Sequence, residues 1–326
     1  MKKFQNILQT IALLLLFFTV WLQWPWELDT GPMIGANATV VPDYHMRQAR
    51  YVSVRESKKD IEFYSDQAIF DLLNQVMTSD DVTIYFYNPE EEKTKVTAKH
   101  GKFLMEQRRF YLDGNVFSES PDGFHLKSEE AFYELPTRIL TLSQPLYGES
   151  KDGNLKIWSD KGKSFLNTNI VELSGNVRTH HKEKKQGLTK IDADRAELHK
   201  IESMINYFFH VKVVQREITA TGNTASLFYS KEPNSVKYMS INDDVKIVAK
   251  DGRHTRSQVA EFFAPTDTVV LSGFPALYDG DDAVTGDKIT LYRTTGVVEV
   301  TATNAAGTES EAVPRSSTSE DDELIP

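Results

Sequence analysis

The sequence predicts an all-β array of one repeated unit, on three observations. A short pattern recurs eight times in 326 residues: a small residue, a second small residue three positions on, and an apolar residue five positions on. Turn formers follow the copies, as in Pro136-Thr137, Asn167-Thr168-Asn169, Glu232-Pro233-Asn234, Pro265-Thr266-Asp267 and Thr295-Gly296. After each turn, apolar residues occupy every second position, as in Leu140, Leu142 and Leu146, the period of a strand.

Six copies fit, Ser65/Ala68/Phe70, Ala98/Gly101/Phe103, Ser128/Ala131/Tyr133, Ala193/Ala196/Leu198, Gly222/Ala225/Leu227 and Ser257/Ala260/Phe262, and two are imperfect: Ser159/Gly162/Ser164 has its apolar residue one late at Phe165, and Gly286/Ile289/Leu291 has a large middle residue. The distance from the first small residue to a central apolar one is 14 in five copies, ending at Leu112, Leu142, Leu173, Leu271 and Val300. The copies centred on Ile84, Phe209 and Ile241 are longer, which places longer turns there. Gly114, Gly175 and Gly273 stand two residues after a central position, where a missing side chain permits a bend. A unit with one strand per face cannot bury its apolar side alone, so neighbours stack and the two terminal units leave open strand edges.

In chain order, Lys2 and Lys3 precede an apolar run that ends near Trp26, about 20 residues as a bilayer-spanning helix requires. Residues 1–26 read as a transmembrane anchor with the N-terminus cytoplasmic and the rest outside. The rival reading is a cleaved signal peptide, with Ala36-Asn37-Ala38 as its cleavage box. Residues 27–50, with Gly31, Pro32, Gly35 and Pro42, read as a linker. Residues 51–146 and 147–302 form one uninterrupted array, and 303–326, rich in Ser, Thr and acidic residues, read as a disordered acidic tail.

The composition narrows the function. A net charge of −10 argues against nucleic acid as partner, and the absence of cysteine removes thiol chemistry and disulfides. Asp192 and Asp194 flank Ala193 beside Arg195 and Glu197, the pattern of a solvated strand face rather than a catalytic pair. His180-His181 sits in a Lys-rich turn without a second ligand group at metal spacing, so no metal and no cofactor is expected. Neither GxSxG nor GxxxxGK[ST] occurs, so the chain reads as a non-enzyme that binds no ATP.

Two stretches carry a resemblance. VTAKHG (96–101), YLDGNVFSESPDGFHLKSEEAFYE (111–134) and LTLSQPL (140–146) resemble the membrane-anchored LptC type of lipopolysaccharide-export protein. The stretch VVLSGFPALYDGDDAVTGDKITLYRTTGVVEV (269–300) is similar to the soluble LptA or OstA-like type. Members of either type are shorter, so the chain looks like an anchored form extended by, or fused to, the second. The resemblance implies a slanted β-jellyroll, open along one side, whose apolar interior holds the acyl chains of lipopolysaccharide. It also implies an inner-membrane ABC transporter as donor, and other β-jellyroll bridge or outer-membrane translocon proteins as neighbours through edge-strand pairing.

On that reading the groove is lined by Phe110, Leu112, Leu140, Leu142, Val171, Leu173, Phe209, Met239, Ile241, Val269, Leu271, Val298 and Val300. Alternating apolar residues in strands are ordinarily plain packed core, so lining and core both stay open at this point. A membrane-tethered β-solenoid acting as envelope scaffold or glycan binder, with a filled interior, is the alternative to a lipid conduit.

Overall fold

The computed structural model describes residues 43–302 apart from 56, 89–91, 184–186 and 231–234. The expected anchor (1–26), the larger part of the expected linker and the expected acidic tail lie outside the described residues. The described residues form strands throughout: β1 (Tyr44–Arg55), β2 (Lys58–Asp71), β3 (Val76–Tyr87), β4 (Lys93–Leu104), β5 (Arg109–Glu119), β6 (His125–Glu134), β7 (Ile139–Leu142), β8 (Leu146–Glu149), β9 (Leu155–Ser159) and β10 (Lys161–Phe165). There follow β11 (Ile170–Glu183), β12 (Gly187–His199), β13 (Met204–Gln215), β14 (Ile218–Ser230), β15 (Ser235–Ala249), β16 (His254–Phe263), β17 (Thr268–Ser272), β18 (Ala276–Asp279), β19 (Asp282–Thr285), β20 (Lys288–Tyr292) and β21 (Val297–Thr301). The array begins at Tyr44, ahead of the expected start at Tyr51, because Met46, Ala49 and Tyr51 already pack on the core.

All pairings are antiparallel and the sheet is a single meander. The short strands β7 and β8 together occupy one place in it, both pairing with β6, and β9 and β10 together occupy the next, both pairing with β11. Pairing continues without interruption through residues 146 and 147.

Each long strand turns a corner at mid-length. On β5, β11, β13 and β15 two successive residues take positive φ, namely Gly114-Asn115, Gly175-Asn176, Phe209-His210 and Asp243-Asp244, and Gly273-Phe274 do the same between β17 and β18. The ladder skips at each of these places, a bulge that bends the sheet. Opposite the corners stand the first small residues of the repeat, Ser65, Ala98, Ser128, Ala193 and Ser257, all buried where the two halves of the folded sheet meet. The bend at Gly114, Gly175 and Gly273 is thus the one expected from the missing side chains.

The second small residue explains the core. Cross-strand partners run in one row, Leu142, Gly162, Leu173, Ala196, Tyr207, Ala225, Ile241, Ala260, Leu271, Ile289 and Val300, with large and small side chains alternating as far as Leu271. Facing large residues would collide: a Cβ on Gly162 would lie 2.5 Å from Leu146 Cδ2. The row also corrects two of the expected centres. Ser79 and Tyr207, not Ile84 and Phe209, occupy the central position and pair with Gly101 and Ala225, so a spacing of 14 holds in those copies too.

Ring contacts show how the sheet folds over itself. Tyr51 meets Phe103 at 5.8 Å, Phe63 meets Phe110 at 5.9 Å, and Phe86 meets Tyr133 at 4.1 Å between ring centroids. These pairs join β1 to β4, β2 to β5 and β3 to β6, so one half of the sheet lies over the other shifted by three strands. The fold is all-β, a slanted β-jellyroll.

Candidate functional site

The inner faces of the two halves enclose one apolar interior that runs from Ile61 to Ile289. Of the residues expected there, Phe110, Leu112, Leu140, Leu142, Val171, Leu173, Met239, Ile241 and Leu271 are buried in it. Val269, Val298 and Val300 are half-buried against it, near the last strand. Phe209 is a correction: it is 50% exposed, because it occupies the corner position that Gly114 and Gly175 hold elsewhere and its positive φ turns it outward. Its place inside belongs to Tyr207, which is fully buried. Alternation alone misassigned it, since counting by two runs straight through a corner.

Opposite the corners the two halves end in rims of turns, and these define the mouth of the groove. Along one rim the first residue of each turn donates its N–H to the last residue of the turn before. Leu135 N reaches Arg108 O at 3.0 Å, Lys200 N reaches Asn169 O at 3.3 Å and Arg293 N reaches Asp267 O at 3.1 Å. This ladder fixes the rim position, from which side chains point across the mouth. Leu135 and Leu166 there are buried apolar caps, whereas Lys200 and Arg293 are cations.

Between the rims the described residues are joined mainly by side chains. Arg138 Nη1 lies 3.1 Å from Asp60 Oδ1, and its Nη2 donates to the Tyr87 carbonyl. Lys200 Nζ donates to Ser120 Oγ at 2.5 Å, Val236 N to Glu183 Oε1 at 2.7 Å, and Arg293 Nη1 to Gln215 Oε1 at 3.1 Å. Such bridges separate one by one at modest cost, unlike a closed β-ladder.

The interior differs along its length. At the N-terminal end Phe63, Phe86, Phe103, Phe110 and Tyr133 fill it, and burial pushes the Tyr133 hydroxyl pKa well above its ordinary value. Toward the C-terminal end an apolar cavity of about 110 Å³ opens between the halves. Met239, Ile241 and Val269 line it together with Ile218, Ile247 and Phe262, and Arg293 and Gln215 stand at its rim side. The sequence reading missed Ile218, Ile247 and Arg293. The first two lie on the half-strands beyond the corner, where Val177, Val211 and Val245 carried the same alternation.

The remaining candidates lie on β11 and β12. His180 and His181 lie on β11 rather than in a turn, the turn residues 184–186 being outside the described residues. His181 faces inward with Nδ1 3.3 Å from Glu183, while His180 packs edge-on against Trp158 at 4.8 Å and its pKa is lowered by burial. Asp194 accepts from His210 Nδ1 at 2.7 Å across the exposed corner. Among the described residues no group of three or more His, Cys, Asp or Glu side chains is arranged to hold a metal.

Two family matches divide the chain. Residues 12–151 match the family described as lipopolysaccharide-assembly, LptC-related. Residues 190–297 match the family described as LptA/(LptD N-terminal domain) LPS transport protein. No curated protein matches the chain. Among solved structures it is similar to LptH of Pseudomonas aeruginosa, described as the LptA-homologous periplasmic component of the lipopolysaccharide transport device. The identity is 21%, 39% of this chain and 90% of that chain are covered, and the TM-score is 0.33. The chain thus carries, one after the other along a continuous sheet, an LptC-related region and an LptA-like region of the lipopolysaccharide-transport families.

Proposed function

We propose that the chain, anchored in the inner membrane by residues 1–26, receives lipopolysaccharide from an ABC transporter and passes it along the groove toward the outer membrane. The observation that carries this reading is the single apolar interior shared by both family-matched parts, closed on one side by corners and on the other by separable bridges. Each buried methylene contributes about 0.8 kcal/mol, so acyl chains are held without specific polar chemistry. A lining of similar apolar residues offers no single deep minimum, and the sugars leave through the mouth. The driving force comes from the transporter.

The outer edges of β1 and β21 have no strand partner among the described residues. They suit pairing with another β-jellyroll, the membrane-proximal edge toward the transporter and the distal edge toward the next bridge or the translocon. The test is depletion of the chain in the cells that make it. Lipopolysaccharide is expected to accumulate in the inner membrane and to disappear from the surface. Undiminished surface lipopolysaccharide after depletion contradicts the bridge.

A further inference from the structure

The cavity and its rim differ from the rest of the groove in one respect. The rim position that holds Leu135 and Leu166 in earlier turns holds Arg293 here, directly at a mainly apolar cavity. Its side chain is 15% exposed, yet among the described residues its charge is met by one carboxylate, Asp267, at 3.3 Å. The Gln215 oxygen lies at 3.1 Å, and the guanidinium sits 5.3 Å above the Phe262 ring.

Both polar contacts use Nη1. Nε and Nη2 make no hydrogen bond to any described residue, which leaves one edge of a planar donor fork for another acceptor. The other carboxylate at the cavity, Glu261, already accepts from the Tyr238 hydroxyl at 2.6 Å. Burial lowers the pKa of Arg293 and the nearby charge of Arg216 lowers it further, a cost that an added anion offsets.

We infer that Arg293 is a binding residue for the phosphate of the lipid's head group, while the cavity beneath it takes part of an acyl chain. The inference rests on the lipid-carrying reading above. A mainly apolar cavity of this size accepts an apolar group, and a guanidinium fork matches two phosphate oxygens, each contact shorter and stronger than a neutral one. Asp267 is then the internal competitor, holding Arg293 until phosphate arrives and reclaiming it when the lipid moves on. Lys200 at the same rim position, bonded to Ser120, borders a cavity of about 210 Å³ that is polar rather than apolar, lined by Glu92, Thr94, Asp122 and Asn169.

The experiment uses the full chain in detergent with a photoreactive residue at Val269, titrated with lipopolysaccharide and with the same lipopolysaccharide after enzymatic removal of its lipid phosphates. Adduct at Val269 is expected at about tenfold lower concentration for the phosphorylated lipid, as one charge-assisted contact implies. Arg293→Gln is expected to erase the difference, Arg293→Lys to keep part of it, and Asp267→Asn to enlarge it by removing the competitor. The Asp267→Asn arm reads the proposal even where loss of Arg293 impairs folding. Equal capture of both lipids by the unmodified chain overturns the inference alone, as does a preference that survives in Arg293→Gln or shrinks in Asp267→Asn. Absence of adduct with either lipid overturns the lipid-carrying reading and this inference with it.

Discussion

Arg138 and Asp60 form an ion pair of 3.1 Å across the mouth of the groove, and both side chains are more than nine-tenths buried. Arg55 approaches the same carboxylate at 3.4 Å from the more exposed side. Removing one partner leaves a buried charge without its counterion, whereas removing both leaves only shape to fill. Asp60→Asn is therefore expected to cost about 3 kcal/mol. The double change Asp60→Leu with Arg138→Met is expected to regain most of that, as measured by urea denaturation of the full chain in detergent. Equal losses in the single and double variants contradict this account of the rim.

Phe209 occupies a corner with φ of 65°, where the equivalent positions on β5 and β11 are Gly114 and Gly175. A bulky residue in that region is strained by about 1 kcal/mol or more, and half-exposed Phe209 gains little burial in return. Phe209→Gly should raise the melting temperature by about 2 °C, while Gly114→Ala, whose Cβ would come 2.9 Å from Lys99 Cβ, should lower it. A destabilised Phe209→Gly points to an outer contact of this ring.

Glu62 is held at a pKa of about 2, against an ordinary value of 4.5, first by Lys59 at 2.7 Å, then by the Tyr87 hydroxyl, with Arg50 adding to them. A depressed carboxylate pKa means that the folded state favours the ionised form. The resulting stability is present in full above pH 4.5 and is lost as pH falls toward 2. Stability is expected to drop by roughly 2 kcal/mol across that window, and less in Glu62→Gln. Parallel pH profiles for the two proteins count against this role.

Lys200 and Ser120 bridge the two rims at mid-length, and the chain has no cysteine of its own. Ser120→Cys with Lys200→Cys, joined by a short bifunctional maleimide, closes the mouth at one place without altering the interior. A photoreactive residue at Leu271, beyond the tie, is expected to lose its lipopolysaccharide adduct on joining, and each single-cysteine variant is expected to keep it. Full capture at Leu271 with the mouth tied shows that the sugars need no open mouth to pass.

Much of this architecture was legible in the sequence, because its signals are local. The small residue at each corner, the small-to-large spacing of 14 and the glycines at Gly114, Gly175 and Gly273 all report steric limits that a single strand imposes. What was not legible depends on the overlay of the two halves. Phe209 was misplaced because a two-residue corner uses up one inward position without changing the alternation. Arg293 and Arg138 were passed over because they sit in turns, and their inward direction follows from the ladder of turns along the rim. The filled aromatic end and the open cavity differ only in which half-strand lies over which, and a shift of three strands leaves no mark on the sequence.

The central claim is that lipid travels inside the folded sheet, and Leu173 with its neighbour Glu172 tests it most directly. Leu173 lies in the interior row, whereas Glu172 faces outward beside Arg195 at 3.8 Å. With a photoreactive amino acid at each position in living cells, the account predicts a lipopolysaccharide adduct at Leu173 and none at Glu172. Folded protein with no adduct at Leu173, or with equal capture at both positions, contradicts it and favours a filled envelope scaffold.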